Sequence, residues 1–146
     1  MIKLKKDYAI IFDLDGTLCD DRPRRFLIEE GKMNEYHSRS IQDKPIEVMC
    51  DLYRALSLDY EIIISTGRPY FWETRTINWM EMNNLKLTSL FMRPEGSHKS
   101  TADIKASHVE WITKQSKTKI GLAFDDDERN IKMFKTYNIL AIRVDI

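Results

Sequence analysis

Two carboxylates one residue apart, Asp13 and Asp15, stand in the string Asp13-Leu14-Asp15-Gly16-Thr17 directly behind the short apolar run Tyr8 to Phe12. A second apolar run, Tyr60 to Ser65, leads into Thr66-Gly67-Arg68, and a later one, Lys119 to Phe124, into three consecutive acids, Asp125 to Asp127. Acids gathered in one place repel one another unless a cation sits among them, and a hard divalent ion with oxygen ligands is the usual solution. Mg²⁺ suits such a set best, because carboxylates, a backbone carbonyl, waters and a phosphate oxygen complete its octahedron.

These residues meet only if the runs that carry them are strands ending at one edge. Tyr8 to Phe12, Tyr60 to Ser65, Ser89 to Met92, Lys119 to Phe124 and Ile139 to Val144 read as buried strands. Helical spacing fills the gaps, at about Pro45 to Ser57, Tyr70 to Asn83, Ala102 to Ser116 and Glu128 to Tyr137. Strand alternating with helix predicts an α/β three-layer sandwich, its central sheet parallel and its crossovers right-handed. Ligands of such a sheet bind outside the carboxyl ends of the strands, near the point where strand order reverses. Leu18 to Gln42 breaks the alternation, being charged and carrying Pro23 and Gly31, and is expected to form a small insertion over the sheet's edge.

The 146 residues suit one domain spanning the chain, with no repeat and no Pro/Gly/Ser-rich linker. Twenty-three basic residues balance twenty-three acidic ones, which excludes a protein that coats nucleic acid or membrane through bulk charge. No apolar run approaches the roughly 20 residues of a membrane span, and the start MIKLKKDYAI has too short an apolar run for a secretion signal. A cytoplasmic protein without a membrane partner is expected. Cys19 and Cys50 lack a CxxC partner and His37, His98 and His108 lack zinc-ligand spacing, so free buried thiols are expected. Trp72, Trp79 and Trp111 are expected to pack in helix cores rather than to stack on bases.

Four features in order, the DxDGT string at Asp13 to Thr17, a Thr closing the second strand, a downstream Lys105 and the acidic pair Asp125 and Asp126, resemble the haloacid dehalogenase (HAD) superfamily of phosphohydrolases over residues 7 to 144. Singly, an Asp-Gly pair is a turn, Thr66 could cap a helix near Pro69, and three acids could favour a helix N-terminus. Together, at one sheet edge, they outweigh those readings. A phosphate monoester resists attack because its charged oxygens repel nucleophiles, so its hydrolysis needs a cation clamp, a nucleophile and an acid. The resemblance implies Asp13 as the nucleophile that becomes an aspartyl-phosphate, and Asp15 as the acid for the leaving alcohol and then the base for water. It implies Mg²⁺ held by Asp13, the Asp15 carbonyl, Asp125 and Asp126, phosphoryl oxygens bound by Thr66 and Gly67, and Lys105 neutralising nucleophile and phosphate together. Gly16 would allow the tight turn and Thr17 would brace it.

A narrower resemblance rests on ISTGRPYFWETRTINWMEMNN, LFMRPEGSHKSTADIKASHVEWI and GLAFDDDERNIKMF, which are similar to the phosphatase domain of phage-type polynucleotide kinase 3′-phosphatases and their free-standing relatives. It implies a phosphorylated nucleic-acid end or nucleotide as partner, with the insertion, Tyr36 and His37 included, as a small helical cover. Glu73 stands where that pattern has Arg, and Thr101 where it has Asp. No GxxxxGK[ST] phosphate loop occurs, so the sequence holds no kinase half. Arg22, Arg24, Arg25, Arg68, Arg93 and Lys99 could form a positive wall, with Arg24, Arg68 and Arg93 joining Gly16, Thr17 and Gly67 as substrate-binding residues. The alternative is a 5′-(deoxy)nucleotidase or small-metabolite phosphatase on the same scaffold.

Overall fold

The computed structural model describes residues 5–146; the first four residues, part of the lysine-bearing start considered above, lie outside the described residues. In chain order the elements are β1 (Tyr8–Phe12), β2 (Cys19–Asp20), α1 (Phe26–Glu29), α2 (Met33–Ser38), β3 (Lys44–Pro45), α3 (Glu47–Ser57) and β4 (Glu61–Pro69). There follow α4 (Glu73–Met82), β5 (Ser89–Arg93), α5 (Thr101–Gln115), β6 (Lys119–Asp125), α6 (Glu128–Thr136) and β7 (Leu140–Arg143). Five strands form one sheet in the order β5-β4-β1-β6-β7, every pair parallel.

β1 is apolar throughout because it is covered on both faces. Ile10 and Phe12 point to one side, where they pack with Ile62 and Ile64 beneath Tyr53 of α3 and Trp79 and Met80 of α4. Ala9 and Ile11 point to the other and join Ile63 against Val109 and Ile112 of α5 and Phe134 of α6. The period-2 alternation of the strand thus builds two cores, and the three-layer α/β sandwich follows. The chain runs from β1 to β4 and β5 on one side, then crosses to β6 and β7 on the other. The reversal falls at the carboxyl ends of β1, β4 and β6, where the acids and the Thr-Gly-Arg string emerge.

Several boundaries differ from the sequence reading. β4 runs on to Pro69, past the expected Ser65, because an irregularity after Ser65 lets Pro69 pair with Arg93. The expected helix from Tyr70 opens as a 3-10 turn over Tyr70–Trp72 before α4 begins at Glu73. Pro45, expected to start a helix, pairs with Cys19, and this antiparallel β2–β3 contact pinches the insertion at its base. Above it lie α1, α2 and short 3-10 turns at Arg22–Arg24 and Arg39–Gln42. Cys19 and Cys50 are free and buried, as expected. Of the three tryptophans only Trp79 is core; Trp72 is half-buried on the 3-10 turn, and Trp111 lies 54% exposed on the outer side of α5 against the Phe91 ring. Among the described residues no helix is long and apolar enough to cross a membrane.

Candidate active site

Asp13 follows β1 directly, and its amide donates to the Phe124 carbonyl at 3.0 Å, tying the turn to β6. The buried Lys105 reaches in from α5, its Nζ donating to Asp13 Oδ1 at 2.8 Å and to Asp125 Oδ2 at 2.5 Å. Asn130 of α6 donates from Nδ2 to Asp125 Oδ1 at 3.1 Å, and its own Oδ1 is buried without a partner. Asp13, Asp125 and Asp126 bring one oxygen each within 4.8 Å of one another. Burial, and then the charge of Asp125, push the Asp13 carboxyl well above its ordinary value despite Lys105. The same two causes raise Asp126 to about 6. Burial opposes the charge on Lys105, but Asp125 and Asp13 outweigh it and hold the ammonium.

Three carboxylates therefore face one buried ammonium and, more distantly, Arg25, whose Nη2 lies 3.4 Å from Asp126. The excess of negative charge and the all-oxygen donor set fit a divalent hard cation such as Mg²⁺. The turn leading to them is built around Gly16, at φ +80°; a Cβ there would lie 2.2 Å from Asp126 Oδ2, so a side chain would expel the acid. Thr17 donates from Oγ1 to Asp13 Oδ2 at 3.3 Å.

Asp15 is held differently from its neighbour. Arg68 donates to it from Nε at 3.0 Å and Nη2 at 2.7 Å, and Arg24 from Nη2 at 2.5 Å. Burial would raise this carboxyl, but the two guanidinium groups win and hold it well below the usual carboxylate range. Arg24 also grips Asp43 at 2.8 Å through Nε, donates to the Tyr36 carbonyl and lies over the Tyr36 ring. Arg24 is thus corrected from a substrate contact to a brace: it is 2% exposed, with both edges of its fork occupied. Arg68 lines the pocket, but its fork is likewise spent on Asp15, and Nη1 donates to Thr76. Thr66 is buried, and its hydroxyl accepts from the Arg68 amide at 3.2 Å.

A pocket of about 730 Å³ opens over this edge, lined among others by Asp13, Asp15, Gly67, Lys105, Arg93 and Asp126. The expected positive wall is mostly neutralised: Arg22 pairs with Asp20, Arg25 with Asp21 and Asp126, and Arg24 and Arg68 with Asp15. Arg93 and Lys99 have no carboxylate partner among the described residues, and of these two Arg93 lines the pocket. Arg93 donates to the Gly67 carbonyl at 3.0 Å, to Thr101 Oγ1 at 3.2 Å and to the Ser97 and Lys99 carbonyls. Thr101, in place of an acid, leaves that charge uncompensated. Glu73 is exposed in the first turn of α4 and does not line the pocket. Asn130 escaped the sequence reading, as did the roles of Tyr36 and Asp43 as partners of Arg24, since nothing local in the chain marks Asp43 as the partner of an arginine nineteen residues earlier.

No curated protein matches the chain. Among solved structures it is similar to a chain of the Pnkp1/Rnl/Hen1 complex, with a TM-score of 0.79 at 20% identity, covering 94% of this chain and 46% of that one. A second structure, of the Pnkp1/Rnl/Hen1 RNA repair complex, gives a TM-score of 0.76 at 18% identity over 98% of this chain and 44% of the other. This chain thus spans less than half the length of either. A haloacid dehalogenase-like hydrolase from Streptococcus pneumoniae matches with a TM-score of 0.68 at 16% identity, covering 93% of this chain and 83% of that one. The family model HAD_PNKP, described as the polynucleotide kinase PNKP phosphatase domain, matches residues 7–146. The chain therefore belongs to that family, and it is a phosphatase of the HAD type.

Proposed function

We propose that the chain is a Mg²⁺-dependent phosphomonoesterase that works through an aspartyl-phosphate on Asp13 and removes the 3′-phosphate from nucleic-acid ends in the cytoplasm. The observation that carries the chemistry is Lys105, whose ammonium bridges Asp13 and Asp125, holds both in place and opposes the burial that would neutralise Asp13. The nucleic-acid reading is supported by the PNKP-type family match and by the uncompensated Arg93 in the pocket wall. Two buried free thiols fit a reducing compartment.

Asp13 attacks phosphorus with one oxygen steadied by Lys105 and the other by Thr17; the bond to the 3′ oxygen breaks as the bond to the carboxylate forms. Asp13, Asp125, Asp126 and the Asp15 carbonyl would hold Mg²⁺, which when bound neutralises charge on the phosphoryl oxygens. Asp15, ionised between Arg68 and Arg24, is set as the base that takes a proton from the water attacking the aspartyl-phosphate. That attack releases inorganic phosphate and restores Asp13. To protonate the leaving oxygen, Asp15 must first swing clear of the guanidinium groups and take up a proton from solvent, since each N–H aimed at it favours its charged form; the base step then returns that proton count by taking one from the attacking water.

The test is a comparison of kcat/KM, with Mg²⁺, for a 3′-phosphorylated oligonucleotide and for nucleoside 5′-monophosphates. The oligonucleotide should be preferred. A pocket able to enclose a single nucleotide favours the nucleotidase as second reading. A 5′-monophosphate ahead by about tenfold, some 1.4 kcal/mol of transition-state discrimination, would establish that reading instead.

A further inference from the structure

A line of rings leads out of the pocket beside β4. His37 lines the pocket; the Trp72 ring lies 6.3 Å from it, and the Phe71 ring 4.8 Å beyond Trp72. Exposure rises along this line, from 6% at His37 to 74% at Phe71. Phe71 stands two residues after Pro69, which lines the pocket, and its amide donates to the side chain of Glu95, another lining residue. The backbone that carries the ring is therefore tied to the rim. Arg75 sets its guanidinium 5.5 Å from the Trp72 ring and donates to the Ser38 carbonyl, with no carboxylate partner among the described residues. At the inner end the buried Nδ1 of His37 has no hydrogen-bond partner.

We propose that Phe71, braced edge-on by Trp72 at 79°, forms a stacking platform for a base of a single-stranded nucleic acid whose 3′-phosphate lies at Asp13, with Arg75 beside its backbone and His37 at its terminal nucleotide. The inference rests on the 3′-phosphatase reading and extends it from the terminal phosphate to the strand behind it. Aromatic faces bind single strands because every base offers a π-face, and a nearby cation meets the phosphates. The platform is continuous with the pocket that takes the phosphate, which favours a strand over a protein partner docking elsewhere. The zero net charge of the chain suits a short footprint of this kind.

The test compares wild type, Phe71→Ala and Phe71→Tyr on a 3′-phosphorylated single-stranded oligonucleotide, a nucleoside 3′-monophosphate and p-nitrophenyl phosphate. Stacking contributes about 1–3 kcal/mol per base, so Phe71→Ala should lower the ratio of kcat/KM for the oligonucleotide to that for p-nitrophenyl phosphate by roughly tenfold or more. The loss should appear in KM, and Phe71→Tyr should restore most of it. An oligonucleotide preference over the nucleoside 3′-monophosphate that survives Phe71→Ala overturns the platform and leaves the 3′-phosphatase standing. Equal losses on all three substrates overturn it as well, because they mark a structural ring or a protein-facing one. Wild type that fails on 3′-phosphorylated oligonucleotides but hydrolyses p-nitrophenyl phosphate overturns the functional reading and the platform with it.

Discussion

Arg68 grips Asp15 with two parallel bonds, from Nε at 3.0 Å and from Nη2 at 2.7 Å, while Asp13, two residues earlier, meets a lysine instead. The planar fork fixes both the direction and the ionisation of the Asp15 carboxylate, whereas the point charge of Lys105 leaves Asp13 free to form a new bond. The two acids of one turn are thereby given different chemistry.

Replacing Arg68 by Lys removes the fork. Asp15 should then titrate at higher pH, toward its ordinary range, because the two bonds that favour its charged form are lost. Since Asp15 acting as the proposed base must be ionised, the acid limb of the pH–rate profile should move upward; an unmoved limb would detach Arg68 from Asp15 in catalysis.

Asp15→Asn should discriminate between leaving groups. A nucleoside 3′-phosphate needs help with its departing oxygen and p-nitrophenyl phosphate does not, so the first should lose at least about 10² more than the second. Similar losses on both would confine Asp15 to the water-attack step.

Gly16→Ala tests the turn. The substitution strains φ +80° and puts a methyl 2.2 Å from Asp126 Oδ2, so Asp126 must move. We expect a loss of about 1 kcal/mol or more in stability from the backbone alone, read by denaturant titration, together with weaker Mg²⁺ binding by calorimetry. Wild-type Mg²⁺ affinity in Gly16→Ala would show that Asp126 is not a ligand.

His108 should make stability fall with acid. Its ring is buried, Nε2 donates to the Met92 carbonyl and Nδ1 accepts from Ser65, and burial lowers it to about 4 from an ordinary 6.5. The unfolded chain therefore takes up the proton first as pH falls, and stability present above about 6.5 is lost on the way down to about 4. Between pH 7 and 5 this amounts to about 2 kcal/mol, which should vanish in His108→Gln. An unchanged pH slope in that variant would assign the acid sensitivity to other groups.

The turn from Asp13 to Thr17 and the sheet were legible for the same reason: their causes are local. Tyr8 to Phe12 reads as a two-faced strand because each of its residues meets a core, and Gly16 reads as a turn because its conformation excludes a side chain. Arg24 was misread because an arginine in a charged insertion carries no mark of Asp15 and Asp43 waiting on other elements. Trp111 was misread because α5 keeps its apolar contacts to residues such as Ile104, Val109 and Ile112, leaving the largest side chain outside. The end of β4 depended on Arg93 pairing with Pro69, a contact between strands that neither segment announces.

The most direct measurement is a rapid acid quench during turnover of a 3′-phosphorylated oligonucleotide labelled in its terminal phosphate, followed by peptide mapping. A hydroxylamine-labile label on the peptide containing Asp13, absent from Asp13→Asn and abolished with turnover by EDTA, is the predicted result, with Asp13→Asn slower by at least about 10³. Full turnover in Asp13→Asn, or a label that persists on that variant, would contradict the account.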